Sequence, residues 1–174
     1  MRSVSALSFV ILFAILFLDT LTKAFVVQWI PEASSYAIWY PYNGIGMIKD
    51  FFGIQFSIVN IANTGAAWGS FPEYQEQLLY TRIGLIIGMF GYLYFYLKNP
   101  LGEIPLMMVI AGAIGNVIDT FLYGHVIDML YFVFWGYHFP AFNVADSAIC
   151  IGIFWLLFTS WRIVPATRRA KSKA

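Results

Sequence analysis

The sequence predicts an all-α integral membrane protein: a bundle of four transmembrane helices with a small β element outside the membrane. Of its 174 residues, 60% are hydrophobic and only 11% are charged, and the mean hydropathy is +0.73. A soluble domain carries about 25% charged residues, so this chain has more apolar surface than a soluble core could bury. The formal net charge of +1 also excludes a nucleic-acid binder that depends on a large basic field.

Four apolar stretches have the length of about 20 residues that a membrane-spanning helix needs. They cover residues 6–29, 78–97, 104–123 and 145–161 of a single membrane-embedded domain, residues 1–174. The first could instead be a cleaved signal peptide, because Arg2 precedes it. Its length and its internal Asp19 and Lys23 argue against cleavage, so we interpret it as a retained helix.

The distribution of Lys and Arg predicts the orientation, because these residues favour the cytoplasmic side of a membrane. Outside the apolar stretches they occur at Arg2, at Lys98 between the second and third stretches, and in the tail 162–174, with Lys49 as the one exception in an acidic connection. The other two connections are acidic or lack Lys and Arg. We therefore expect both termini in the cytoplasm, with the basic tail held at anionic lipid.

The two outer connections predict different structures. Residues 38–70 contain the turn signal Asn43-Gly44 and an alternating apolar pattern over 54–59, which favour a small β element. Residues 123–142 are rich in aromatic side chains and poor in charge, which favours an amphipathic helix at the membrane interface. Several further aromatic residues suit the same interface, namely Trp39, Tyr40, Tyr42, Phe51 and Phe52.

Small residues recur four apart in two of the predicted spans, at Gly84 and Gly88 and at Ala111 and Gly115. This spacing lets helices approach closely, so both pairs predict helix contacts. The single Cys150 lies in an apolar run, where we expect a buried thiol without chemistry.

Polar residues collect at one depth, near the predicted outer ends of the spans. They are Asp19, Lys23, Asn116, Asp119, Asp128, Asn143 and Asp146. Charges in a span are costly and indicate function. Asp19 and Lys23 are four apart and predict an ion pair, and Asn143 is a candidate N-cap of the fourth helix.

Asp128 and Asp146 have no cation near them in the sequence, which suggests that the two carboxyl groups share a proton. Such a pair acts as acid and base, as in aspartic proteases. We expect no metal or cofactor, because His125 and His138 lie in no metal-binding motif. The alternative functions are a small proton- or cation-coupled transporter subunit and a structural membrane subunit.

Five segments, in order, resemble the lipoprotein signal peptidase (signal peptidase II) family over most of the chain. They are Asp19-Thr-Leu-Thr-Lys23, Asn63-Thr-Gly-Ala-Ala-Trp-Gly69, Ala111-Gly-Ala-Ile-Gly-Asn-Val-Ile-Asp119, Gly124-His-Val-Ile-Asp128 and Phe139-Pro-Ala-Phe-Asn-Val-Ala-Asp-Ser147. The resemblance implies that Asp128 and Asp146 are the catalytic dyad. It also implies supporting roles for Asn63, Asn116, Asp119 and Asn143, with Asp19 and Lys23 bracing the site.

The resemblance further implies an outer β-cradle and an interfacial helix on a four-helix bundle, in a bacterial inner membrane, with the site near the outer face. The implied substrate is a prolipoprotein with a diacylglyceryl-modified cysteine, cut on the amino side of that cysteine. Membrane lipid is the other implied partner, with no obligate protein partner. One position departs from the family pattern: Thr120 stands where the family has Arg, and Arg82 is a candidate substitute.

Overall fold

The computed structural model describes residues 4–33, 44–65, 70–97 and 99–171, and in the last helix it describes side chains as far as Thr159. This part of the chain forms the helices α1 (Ala6–Trp29), α2 (Gln75–Phe95), α3 (Glu103–Tyr123) and α4 (Val144–Lys171). It also forms the strands β1 (Ile45–Phe51), β2 (Ile54–Asn63), β3 (Val126–Phe134) and β4 (Tyr137–His138).

Three of the helices are long and apolar enough to cross a membrane: α1, α2, and α3 with the short turn before it. The described apolar part of α4, Val144–Thr159, is shorter. The fourth span therefore stays a prediction. The side chains of the basic tail, residues 162–174, lie outside the described part of the structure, as do Lys98, Trp39, Tyr40, Tyr42 and Asn43.

Helix α3 is the central helix of the bundle. About two-thirds of its apolar stretch (67%) is buried, against 22% for α1 and 6% for α2. Its residues Met107, Ile110 and Ala111 are fully buried and pack with Leu12 of α1 and Leu93 of α2. The large apolar residues on the outer sides of α1, α2 and α4 are exposed, as expected where lipid rather than protein covers them.

Small residues bring α3 against its neighbours. A Cβ at Gly112 would lie 2.3 Å from the carbonyl oxygen of Ala145, and one at Gly115 would lie 2.7 Å from Asp19 Oδ2. The predicted contact at Ala111 and Gly115 is therefore confirmed. The predicted contact at Gly84 and Gly88 is wrong, because a Cβ at either would meet no atom of the described residues within 4 Å.

The strands form one antiparallel sheet in the order β1-β2-β3-β4. Each hairpin has a two-residue turn in which both residues have positive φ, at Phe52-Gly53 (53° and 81°) and at Trp135-Gly136 (48° and 83°). Turns of this kind match the twist of the paired strands. The sheet extends beyond the expected β element, because its second half comes from the segment after α3.

The expected interfacial helix over 123–142 is wrong, because this segment forms β3 and β4. The first four residues of β3 are all buried. A strand buried on both faces lacks the alternation of apolar and polar residues that marks a half-buried strand. The aromatic side chains further along stack on one another within the sheet, as Phe56 and Phe132 do across β2 and β3.

The sheet is fixed to one end of the bundle. Val26 and Ile30 at the end of α1 pack against Ile127 and Met129 of β3. Asn60 of β2 donates from Nδ2 to the carbonyl oxygen of Ile30 over 2.9 Å. Between α3 and β3, Gly124 ends the helix with a left-handed φ of 78°, and the chain turns there into the strand. These contacts set the position of the polar residues carried by β3.

The expectation of a buried thiol is also wrong, because Cys150 is exposed. It lies next to Ile151, which is 55% exposed, on the outer side of α4. Apolar composition indicates burial only where protein covers the helix, and this side of α4 has no protein neighbour in the described part of the chain.

Candidate active site

Two carboxyl groups from different elements meet where the sheet joins the bundle. Asp128 is the third residue of β3 and is 4% exposed. Asp146 lies in the first turn of α4 and is half-buried. Both bind Asn143: its side-chain Nδ2 donates to Asp128 Oδ1 over 3.0 Å, and its backbone N–H donates to Asp146 Oδ2 over 3.2 Å. One asparagine therefore holds the two carboxyl groups together.

Two further asparagines complete the hydrogen bonds to this pair. Asn63, the last residue of β2, donates from Nδ2 to Asp128 Oδ2 over 2.8 Å. Asn116 of α3 donates from Nδ2 to Asp146 Oδ1 over 2.8 Å. All four carboxyl oxygens thus accept a hydrogen bond from a neutral amide. Neutral donors orient the carboxyl groups without fixing both of them as anions, as a direct ion pair would.

Asn143 also begins α4, as the sequence predicted. Its Oδ1 accepts from the backbone N–H of Asp146 over 2.8 Å, while Asp146 Oδ2 accepts from the backbone N–H of Asn143. This reciprocal arrangement is a capping box, which satisfies two helix-end donors at once. The same pair of residues therefore starts the helix and fixes the side chain of Asp146.

The predicted ion pair between Asp19 and Lys23 is confirmed, and the structure adds Asp119 to it. Lys23 Nζ lies 2.7 Å from Asp19 Oδ2 and 2.7 Å from Asp119 Oδ2, and it donates to Asn116 Oδ1 over 3.1 Å. Lys23 and Asp19 are each 1% exposed. An ammonium group has three hydrogens, and here each has an acceptor.

The two carboxylates bound to Lys23 also hold the elements that carry Asp128 and Asp146. Asp19 Oδ1 accepts from the backbone N–H of Ala145, next to Asp146, over 2.8 Å. Asp119 Oδ2 accepts from the backbone N–H of Ile127, next to Asp128, over 3.2 Å. The Lys23 cluster (Asp19, Lys23, Asp119) thus fixes the start of α4 and the start of β3 relative to α1.

The electrostatic environment favours a proton on Asp128. Burial raises the pKa of Asp128 to about 7, and the neighbouring charge of Asp146 acts in the same direction. The hydrogen bond from Asn63 and the positive charge of Lys23 oppose this rise. A carboxyl group with a pKa near 7 holds a proton for part of the time at neutral pH, as a general acid must.

Arg82 does not take the place expected for it beside the carboxylates. Its Nη2 donates to the backbone carbonyl oxygen of Gly65 over 2.9 Å, and Lys23 is the cation that binds Asp19 and Asp119. Thr120, at the position of the family Arg, donates from Oγ1 to the carbonyl oxygen of Asn116 over 3.1 Å. Arg82 and Thr120 line one small pocket with four other polar or flexible side chains: Asn63, Thr64, Gln75 and His125.

Sequence reasoning missed two polar contacts away from this centre. Glu103 at the start of α3 is 4% exposed and accepts from Ser8 Oγ and from the backbone N–H of Ser5, each over 2.6 Å. Tyr131 Oη binds His138 Nδ1 between β3 and β4. In each contact the partners lie on different elements, so no spacing pattern within one helix could reveal them. Both lie outside the group of residues around Asp128 and Asp146.

Comparison with known proteins gives consistent matches along the chain. The family model for signal peptidase (SPase) II matches residues 11–162. A lipoprotein signal peptidase of Syntrophotalea carbinolica is 32% identical over 148 residues, which cover 83% of this chain and 84% of that protein. One of Burkholderia vietnamiensis is 39% identical over 137 residues, covering 71% and 81%.

The fold is similar to that of a solved bacterial membrane enzyme, with a TM-score of 0.75 and 25% sequence identity. That match covers 90% of this chain and 88% of the other. The similarity therefore includes the sheet as well as the helices.

Proposed function

Because the chain belongs to the signal peptidase II family, and is therefore a protease, we propose that it removes signal peptides from prolipoproteins. The substrate we propose carries a diacylglyceryl group on the cysteine that follows the signal peptide. The cut lies on the amino side of that cysteine. Relatives that carry the name lipoprotein signal peptidase support this substrate class.

The observation that carries the chemistry is the shared environment of Asp128 and Asp146. Both bind Asn143, and Asn63 and Asn116 supply one further amide hydrogen bond to each. Burial and the charge of Asp146 raise the pKa of Asp128 to about 7. These features support a catalytic dyad that shares one proton, in which Asp128 holds the proton at rest and Asp146 is ionised.

In the first step, ionised Asp146 takes a proton from a water molecule as the water oxygen attacks the carbonyl carbon before the cysteine. Protonated Asp128 donates to the carbonyl oxygen, so a neutral tetrahedral gem-diol forms. In the second step, Asp128 takes back the proton from one hydroxyl group while Asp146 protonates the cysteine nitrogen, and the carbon–nitrogen bond breaks. The products are the carboxyl group of the signal peptide and the free amine of the lipidated cysteine.

The supporting residues keep this geometry fixed. Asn63, Asn116 and Asn143 orient the carboxyl groups, and the Lys23 cluster holds the backbone on either side of them. Catalysis of this kind requires reacting groups within a few tenths of an ångström of the productive position, which buried hydrogen bonds can maintain.

The position of the site in the fold supports a reaction at a membrane face. Asp128 lies in the sheet and Asp146 in the first turn of α4, so both are at the end of the apolar helices rather than half-way along them. We propose that α4 completes a four-helix bundle in the bacterial inner membrane, with both termini in the cytoplasm and the site near the outer face. The signal helix and the lipid chains of the substrate could then stay in the bilayer during cleavage.

The experiment that tests this function is cleavage of one synthetic prolipoprotein with and without the diacylglyceryl group. The protein is purified in detergent, and mass spectrometry locates the cut. We expect cleavage of the lipidated substrate alone, immediately before the cysteine. Equal cleavage of both substrates, or a cut at another bond, would overturn the proposed specificity. Absence of cleavage by correctly folded protein would overturn the proposed activity.

A further inference from the structure

Arg82 is a charged residue within the apolar helix α2, beyond the polar first turn that contains Glu76. It lies two turns into α2 and is half-buried. A charge at such a position is costly and is retained where it performs a function. Its hydrogen bond to Gly65 goes to a buried residue in the turn that follows β2. In the described part of the chain, the pocket around Arg82 is lined by no carboxylate.

The turn that Arg82 holds is linked to Asp128 by two further hydrogen bonds. The backbone N–H of Gly65 donates to Asn63 Oδ1 over 3.0 Å. Because Oδ1 of Asn63 accepts this bond, the side-chain Nδ2 of Asn63 points away from the turn. Asn63 Nδ2 then donates to Asp128 Oδ2 over 2.8 Å. Arg82, Gly65, Asn63 and Asp128 thus form a continuous chain of contacts.

We propose that Arg82 is a positioning residue for the dyad. It anchors the turn at Gly65 from α2, so that Asn63 presents its amide nitrogen to Asp128. The inference rests on the proposed function, because it concerns how one of the two proposed catalytic carboxyl groups is oriented. It assigns Arg82 no contact with substrate.

Two features of the guanidinium group suit it to this role. It is planar and rigid, so less conformational freedom is lost when its Nη2 bonds to the carbonyl oxygen of Gly65. It also remains charged at all accessible pH values, so the anchor does not weaken as the dyad titrates. Lys at the same position would supply an ammonium group that rotates on a flexible stem, and Gln would supply a shorter and neutral amide.

The test compares Arg82→Gln, Arg82→Lys and Asn63→Ala in the cleavage assay over a range of pH. The charged and titratable groups that act on Asp128 are Asp146 from α4 and Lys23 from α1, and none is changed. Asp19 and Asp119, which bind Lys23, and His125 in the pocket are also kept. The matched control is Thr81→Ala, because Thr81 is the exposed neighbour of Arg82 and its hydroxyl group bonds within α2, to the carbonyl oxygen of Gln77.

We expect Arg82→Gln to lower kcat about 10-fold or more, with KM little changed, because a small displacement of a catalytic group has a large effect on rate. The alkaline limb of the pH profile should move to higher pH, since the hydrogen bond from Asn63 favours ionised Asp128. Asn63→Ala should move the limb in the same direction. Arg82→Lys should recover part of kcat, and Thr81→Ala should behave as wild type.

The double variant Arg82→Gln with Asn63→Ala separates this role from a general structural one. The effects of substitutions that break the same contact are not additive. The kcat of the double variant should therefore be no lower than that of Asn63→Ala alone. The inference would be overturned if the kcat losses of the two single variants multiplied in the double variant. It would also be overturned if the alkaline limb of the pH profile of Arg82→Gln stayed where it is in wild type.

The failures of this inference and of the proposed function are distinguishable. If wild type cleaves and Asp128→Asn does not, while Arg82→Gln retains full kcat, the function stands and the inference is wrong. If wild type does not cleave, the unfolding midpoints of wild type, Arg82→Gln, Asn63→Ala and the double variant still test the contact chain. In that case additive losses of stability for Arg82→Gln and Asn63→Ala would overturn it.

Discussion

Lys23 is the cation that joins the buried polar residues of α1 and α3 beside the site. Its ammonium group binds Asp19, Asp119 and Asn116, and the two carboxylates in turn bind the backbone beside Asp128 and Asp146. The local spacing of Asp19 and Lys23 predicted one of these contacts. The contact with Asp119 joins α1 to α3 and depends on the tertiary fold, so no spacing in the sequence could show it.

Removing this ammonium group leaves two buried carboxylates without their cation. We expect Lys23→Met to lower the free energy of unfolding by about 3–5 kcal/mol, the range seen when one partner of a buried ion pair is lost. Denaturant unfolding in detergent measures the effect. The control is Lys49→Met, because Lys49 lies in β1, where every residue is exposed, and should change stability little. Equal effects at the two positions would contradict the account.

The pKa of Asp128 gives a prediction for the pH dependence of activity. Because burial and the charge of Asp146 raise this pKa to about 7, the proton that Asp128 holds is lost as the pH rises through 7. The proposed mechanism needs that proton on the carbonyl oxygen, so kcat should be constant just below this pH and fall above it. A kcat that stays constant up to about pH 9 would show that Asp128 does not act as the acid.

At the scale of elements, the position of α4 depends on its close contact with α3. Gly112 faces the backbone of α4, where a Cβ would lie 2.3 Å from the carbonyl oxygen of Ala145 and 2.7 Å from Ile149 Cγ1. A backbone atom cannot move aside as the end of a side chain can. The contact therefore sets the distance between α3 and the first turn of α4, which carries Asp146.

We expect Gly112→Ala to force these helices apart and to lower the free energy of unfolding by about 1–3 kcal/mol. Cleavage activity should fall with it, because Asp146 moves relative to Asp128. Gly88→Ala is the matched control, since a Cβ at Gly88 meets nothing within 4 Å and alanine is the better helix former by about 1 kcal/mol. If Gly112→Ala proved as stable and active as Gly88→Ala, the close contact would have no such role.

The elements also show where sequence patterns were informative. Apolar length placed the helices well, because lipid requires long apolar stretches. The pattern over 123–142 failed, because β3 is buried at its first four positions and an aromatic-rich strand then resembles an interfacial helix in composition. The predicted contact at Gly84 and Gly88 failed for another reason. Spacing shows which residues share a helix face, but it does not show whether another helix covers that face.

At the scale of the whole molecule, the fold brings three separate parts of the sequence to one end of the bundle. Asn63 arrives from the first half of the sheet, Asp128 from the second half, and Asp146 from the first turn of α4. The sequence predicted that Asp128 and Asp146 share a depth, because the predicted topology fixes which end of the bundle each segment occupies. It could not predict the individual hydrogen bonds, which depend on the register of β2 with β3 and on the capping of α4.

If Asp128 and Asp146 together perform the hydrolysis, loss of either carboxyl group should abolish cleavage. The rate of cleavage of the lipidated substrate is compared for wild type, Asp128→Asn, Asp146→Asn and the control Glu76→Gln, an exposed residue in the first turn of α2. Asn keeps the shape of Asp, and circular dichroism checks that each variant folds. We expect each Asp variant to lose about 10³-fold in kcat, while the control is unchanged. A folded variant of either Asp that cleaved at more than about a tenth of the wild-type rate would contradict the claim.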